Sequence, residues 1–235
     1  MLGIKAQNNP ITSPQLMYTR SDVFGVNRNT FMGLGLYYRL GWHKTGKEQN
    51  HWEIEFARIK HPKEVRRQGF SDNPSQYTFG KLNTVFFMRN SLGQTIAITE
   101  RPYKNAIGFN FVYSLGVTVA FLKPQYLEVY YPDDNIRNTG YLVSEKYDPA
   151  KHNDIYRIYG KSSFMSGFSE TTLQLGFGGK AGFQVDWAEY ADEIRGIEAG
   201  ITIDGFLKGV PIMAKSNPNN LFYGFYLAYN WGSKK

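Results

Sequence analysis

The strongest constraint in this sequence is a two-residue alternation over residues 106–121. Ile107, Phe109, Phe111, Tyr113, Leu115, Val117, Val119 and Phe121 occupy the odd positions. Gly108, Asn110, Val112, Ser114, Gly116, Thr118 and Ala120 occupy the even ones. Neighbouring side chains point to opposite faces in a strand, so this period predicts β structure with one bulky face and one small or polar face. It reads as one long strand, or as two with a turn near Gly116.

The same period recurs along the chain. In residues 32–43, Leu34, Leu36, Tyr38, Leu40 and Trp42 oppose Gly35, Tyr37, Arg39 and Gly41. Residues 51–60 set Trp52, Ile54 and Phe56 against Glu53, Glu55 and Ala57. Residues 77–90 set Leu82, Thr84, Phe86 and Met88 against Lys81, Asn83 and Arg89, with Phe79, Val85 and Phe87 blurring the pattern. Residues 125–131 extend the sheet. Further strands are predicted at 176–187, 195–204 and 221–231, the last reading LFYGFYLAYNW. The total is about eight strands, or about ten on a finer division.

Polar, turn-rich segments separate them. Residues 44–50, 61–76 and 91–104 read as connections. Residues 132–175 form the largest irregular region, with a short helix expected from Met165. A connection that long suits an extracellular loop. Residues 1–7, MLGIKAQ, read as the tail of a secretory signal peptide, with Ala6 near a cleavage point. Residues 1–16 are therefore assigned to a signal remnant and flexible lead, and 17–235 to a barrel domain.

Which face points outward decides the type of barrel. A soluble barrel turns its large apolar residues inward and its charges outward. Here the face opposite the bulky residues carries Gly108, Gly116, Gly182, Gly200 and Gly224 together with charged groups. Small and charged residues fill a narrow lumen, whereas such glycines add nothing to a solvated surface. Strands of roughly 9–11 residues match a tilted membrane crossing. Trp42, Trp52, Trp187, Tyr229 and Trp231 sit at strand ends, where an interfacial girdle belongs. The mean hydropathy of −0.43 is compatible with this, because only alternate residues of each strand meet lipid.

The chain is basic, with a formal net charge of +7, but its Lys and Arg residues are scattered through connecting segments. No basic helix or RNA-binding aromatic motif is present, so nucleic acid is not expected as a partner, and anionic lipid or lipopolysaccharide is. Cys is absent, which excludes disulfides, thiolate metal sites and cysteine nucleophiles.

The candidate site is the set of inward-facing charges: Arg39, Glu53, Glu55, Lys81, Arg89, Asp186, Glu198 and Asp204. Charges in a narrow lumen must pair or stay hydrated, so they read as a plug of salt bridges; an ion or solute path is the alternative. His43 and His51 flank one hairpin, but two histidines without a third ligand do not make a metal site, and all four histidines read as loop residues. No GxSxG elbow occurs, and no His follows His152, where a Ser–His hydrolase of the lipid A deacylase kind carries one on a late strand. The carboxylates of Glu53 and Glu55 share a face, which suits either a catalytic dyad or the lumen network. GFGGKAG at residues 176–182 lacks the spacing of a phosphate loop and reads as strand. No cofactor is expected.

The alternating strands, the aromatic strand ends and the closing YGFYLAYNW resemble the small outer-membrane β-barrel proteins of Gram-negative envelopes, over residues 31–231. HPKE (61–64), FGKLN (79–83), LKPQYLEV (122–129) and VPIMA (210–214) have the look of family-specific sequence without a function attached. One departure is the extension Gly232-Ser233-Lys234-Lys235 after Trp231, where many such barrels end on an aromatic residue. The resemblance implies an all-β fold, a closed antiparallel up-and-down transmembrane barrel in the cell outer membrane. The filled lumen and the long polar loops, which can hold partners, point to a non-enzymatic structural or accessory subunit of an envelope secretion or biogenesis complex, with other envelope proteins as partners. A lipid-modifying outer-membrane enzyme and a soluble lipid-binding barrel are the alternatives.

Overall fold

The computed structural model describes residues 18–69, 75–99, 107–133, 140–152, 154–187, 190 and 192–235. The signal remnant and lead assigned to residues 1–16 lie outside this set, as do 70–74, 100–104 and 134–139 of the expected connections and Ala106 at the start of the expected strand 106–121. In chain order the strands are β1 (Arg20–Asn29), β2 (Met32–His43), β3 (Glu48–Ile59), β4 (Arg66–Gln68), β5 (Gln76–Thr78), β6 (Asn83–Thr99) and β7 (Gly108–Pro124). They continue as β8 (Tyr126–Pro132), β9 (Gly140–Lys146), β10 (Ile158–Lys161), β11 (Thr172–Asp186), β12 (Glu193–Val210) and β13 (Asn219–Lys234).

Eight of these form a closed antiparallel barrel in the order β1-β2-β3-β6-β7-β11-β12-β13. Each barrel strand pairs with its predecessor along the barrel path, and β1 pairs with β13 to close it, with Phe24 opposite Trp231 and Val26 opposite Tyr229. Closure leaves no unpaired backbone edge, which is the condition for β structure in lipid.

The alternation sorts as expected. Leu34, Leu115 and Phe225 point outward and are 70–72% exposed, while Thr118, Glu198 and Asp204 point inward and are fully buried. The outer wall is a continuous band of Leu, Phe, Tyr, Ile and Val. Monomeric soluble proteins rarely expose apolar patches above a few hundred Å².

The two rims differ. Among the described residues, Tyr18, Lys235, the connection 44–47, Ile107, Trp187 and Asp192 lie at one end, and all four tryptophans cluster there. The described residues 60–69, 75–82, 125–133, 140–152, 154–171 and 211–218 lie at the other. Over that loop rim, β8 is the middle strand of a small sheet ordered β10-β8-β9, and β4 pairs with β5. Tyr77, Leu127, Val129, Tyr147 and Ile158 form a second core beneath them.

Several sequence expectations change here. β1 was not anticipated, because its outward face mixes Asp22 and Arg28 with Phe24 and Val26. Residues 125–131 leave the barrel: Pro124 has no N–H to donate, the β7 ladder stops there, and β8 joins the small sheet. The expected count of eight thus held through an exchange of one strand for another. Residues 91–99, expected as connection, continue β6, with Leu92 and Ile98 facing out and Ser91 facing in. Of the expected strand 106–121, the described part from Gly108 is one strand without a turn at Gly116. Among the described residues after 132, β9 and β10 belong to the small sheet, and a 3₁₀ turn at Ile155–Arg157 is capped by Asp154. No α-helix starts at Met165; i→i+3 turns run to Thr171 instead, interrupted by Gly167 at φ +76°.

Candidate functional site

The lumen is packed in layers. An interior of eight strands is just wide enough for side chains to meet across it. Nearest the terminal rim, Val23, Gln49, Thr95, Asn110, Gln184 and Asp186 line a small cavity of about 110 Å³. Two ion-pair layers follow. An apolar layer of Ala57, Ile59, Val85, Phe87, Ala120, Leu122, Phe206, Val210, Ile212 and Phe222 closes the loop end.

The first ionic layer joins β2, β3, β11, β12 and β13. Arg39 Nε donates to Glu53 Oε2 at 2.8 Å, and its Nη2 donates to Glu198 Oε2 at 3.0 Å. The Lys180 ammonium lies 2.7 Å from Glu53 Oε1 and 3.8 Å from Glu198 Oε1, and 4.4 Å from the Tyr37 ring centre. Glu198 also accepts from Tyr226 Oη at 2.8 Å and from Asn230 Nδ2 at 3.2 Å, and Tyr37 Oη donates to Asn230.

The second layer centres on Arg89. Its Nη1 donates to Glu55 Oε2 at 2.7 Å and its Nε to Asp204 Oδ1 at 3.0 Å, with Nη2 bridging to Asp204 and Thr202. Asn27 Nδ2 donates to Glu55 Oε1 at 2.6 Å, and Thr118 Oγ1 donates to Asp204 Oδ1 at 2.9 Å. Space for this layer depends on Gly178. A Cβ there would stand 2.0 Å from Asp204 Oδ1 and 2.8 Å from Arg89 Nε. This places the GFGGKAG segment in β11, where its glycines make room within the sheet and lumen.

Six of the expected charges therefore meet in these layers: Arg39, Glu53, Glu55, Arg89, Glu198 and Asp204. Asp186 faces the lumen but stands apart at the terminal mouth, where its Oδ1 accepts from the Arg195 backbone N–H at 3.5 Å. Lys81 is corrected out of the barrel network. It precedes β6 at the loop rim and pairs with Glu64 at 2.8 Å, because the ladder of β6 begins only at Asn83. Lys180 was missed, although it shares the parity of Gln184 and Asp186 on β11. The apolar layer was missed as well, since Phe87 and Phe206 break the rule that bulky residues face out.

The histidines also need correcting. His51 is no loop residue; it is fully buried in the lumen with Nδ1 3.3 Å from Thr95 Oγ1, and its Nε2 has no partner among the described residues. It sits opposite Gly41, while His43 sits opposite Gln49. Among the described residues, no group of three His, Asp or Glu side chains is placed to hold a metal ion.

An apolar exterior, a closed edge and a packed polar lumen define the class: an eight-stranded β-barrel of the outer-membrane type. No family model and no curated protein matches the sequence. Among solved structures, the chain is similar to neisserial surface protein A, with 8% identity, a TM-score of 0.41, and coverage of 93% of this chain and 96% of that one. It is similar to Ail, the attachment invasion locus protein of Yersinia pestis, with 9% identity, a TM-score of 0.39, and coverage of 93% and 100%. LpxR from Salmonella typhimurium aligns with 10% identity, a TM-score of 0.32, and coverage of 91% and 99%. These are loose likenesses, and the class stands on the geometry of the barrel itself.

Proposed function

We propose that the chain is an integral outer-membrane barrel and a structural or accessory subunit of an envelope assembly, such as a secretion or biogenesis complex. The observation that carries this reading is the contrast between a lumen closed by two ionic layers and an apolar one, and a loop rim built into an ordered platform. A closed lumen offers no solute path. The platform has its own core and exposes Tyr141, Leu142, Tyr156, Met165 and Phe168, with Tyr156 80% exposed. Aromatic and Met side chains of this kind are enriched where proteins dock. The lumen charges serve as a rigid plug: each of the four carboxylates in the two ionic layers is held by a cation, and Glu55, Glu198 and Asp204 also by neutral donors, as buried ion pairs require. A soluble lipid-binding barrel would need an apolar cavity where these ion pairs stand.

Affinity purification of the tagged chain from detergent-extracted membranes tests the reading. A stoichiometric envelope partner, lost when Tyr141, Leu142 and Tyr156 are replaced by Ser, is the expected result. Recovery of the barrel alone, still folded, contradicts it.

A further inference from the structure

Among the pockets outside the barrel lumen, one lies on the outer wall beneath the loop platform. It has a volume of about 280 Å³, and its lining includes Arg58, Arg66, Lys81, Lys123, Lys161 and Phe164. Lys81 spends its charge on Glu64 at 2.8 Å, and Arg58 lies 3.7 Å from the same carboxylate. Among the described residues, Arg66, Lys123 and Lys161 have no carboxylate at ion-pair distance.

Lys123 is the informative member. The residue is only 6% exposed, and its Nζ stands over the face of Phe164, 5.3 Å from the ring centre. Its ammonium lines the pocket, so an anion seated there would meet a cation that has no counter-charge among the described residues. Lys161 adds repulsion on the same side. The pocket therefore holds five cations against one carboxylate, a local excess of four positive charges.

Its position selects the anion. The wall immediately below is apolar: Phe56 stacks on Phe86 with ring centres 5.9 Å apart, and Phe164 meets Phe86 edge-on at 6.4 Å. Phe86 and Phe164 also line the pocket. A cationic pocket directly above a lipid-facing aromatic pair lies at headgroup depth. In outer-membrane barrels the long loops are extracellular and the turns periplasmic, which puts this rim in the outer leaflet.

We propose that this pocket binds the phosphorylated headgroup of an outer-leaflet lipid, with Arg66, Lys123 and Lys161 against the phosphate and the aromatic pair against the first acyl carbons. The inference rests on the reading of the chain as a membrane-spanning barrel. It adds a defined lipid site to a wall that otherwise treats lipid as solvent.

The test uses the full-length protein in detergent micelles, titrated with diphosphoryl lipid A and with lipid A stripped of both phosphates. The phosphorylated form should bind roughly tenfold more tightly or better. Lys123→Ala combined with Lys161→Ala should abolish that difference while the heat-dependent gel shift of the folded barrel persists. Inorganic phosphate, lacking the acyl chains, should displace the lipid only weakly. Equal binding of the two lipids by wild-type protein overturns the proposal even if the double variant fails to fold. Displacement by inorganic phosphate at concentrations matching the lipid overturns the lipid source. Loss of the gel shift in the wild-type protein would instead count against the membrane-spanning reading.

Discussion

Arg39 and Arg89 each bridge two carboxylates, but their removal should not cost the same. Arg39 shares Glu53 and Glu198 with Lys180, so a cation stays between those carboxylates in Arg39→Ala. Arg89 is the sole cation paired with Glu55 and Asp204 among the described residues. Removing one partner of a buried pair typically costs about 3–5 kcal/mol. Arg89→Met should therefore lower the heating midpoint of the detergent-solubilised barrel clearly more than Arg39→Ala, as followed by the gel shift or by circular dichroism. Equal losses would mean that Lys180 does not back up Arg39. Lys81 supplies a pH prediction at the loop rim. Burial lowers its pKa to about 8 from 10.5, outweighing the Glu64 charge that raises it. Between those values the unfolded chain holds more protons than the folded one, so the stability contributed by this group rises with pH through that window. Tryptic cleavage at exposed Arg66 and Arg67 should slow from about pH 8 to about pH 10 in wild-type protein relative to Lys81→Met. Residue identity alone placed most of the lumen charges, because parity along a strand fixes facing. It misplaced Lys81, whose parity continues β6 backwards past the point where pairing begins, and a parity count on β11 would have found Lys180.

At the scale of elements, β2 runs over the residues that its alternation marked, since Leu34, Leu36 and Leu40 leave its facing in no doubt. β1 escaped because Asp22 and Arg28 interrupt its outer face, and only its partners β2 and β13 fix its register. β8 shows the reverse failure. Its local pattern is that of a strand, but which sheet it joins is decided by Pro124 and by β9 and β10, none of which local alternation reports. Glycine placement is the most testable consequence at this scale. Gly178 faces the Arg89 layer, while Gly179 faces outward, where a Cβ would meet the terminal methyl of Leu115 at 2.6 Å and the Ser114 carbonyl oxygen at a milder 3.1 Å. Leu115 is 72% exposed on the lipid face and can turn aside. Gly178→Ala should lower the heating midpoint, and Gly179→Ala should change it little. If the two variants melted alike, the close packing around Arg89 would not be limiting.

For the whole molecule, the distribution of side chains is that of an inside-out protein: ionic and small residues within, aromatic and aliphatic residues without. The fold class was legible because alternation and strand length are both local. The closed lumen was legible only in part. Its charges could be named, but the apolar layer of Phe87, Phe206 and Phe222 depends on which rim a residue reaches, and alternation does not encode that. A lumen blocked by three layers predicts that planar bilayers containing the purified protein show no stable open-pore current. A steady conductance would mean that the layers part in the membrane. The central claim, a closed barrel held in the outer membrane by its apolar wall, is tested most directly by carbonate-washing membranes from expressing cells and running the pellet on gels with and without heating. The account predicts that the protein stays in the pellet and that the unheated sample migrates as a compact, faster band. Release into the carbonate supernatant, with one unchanged band, would contradict it.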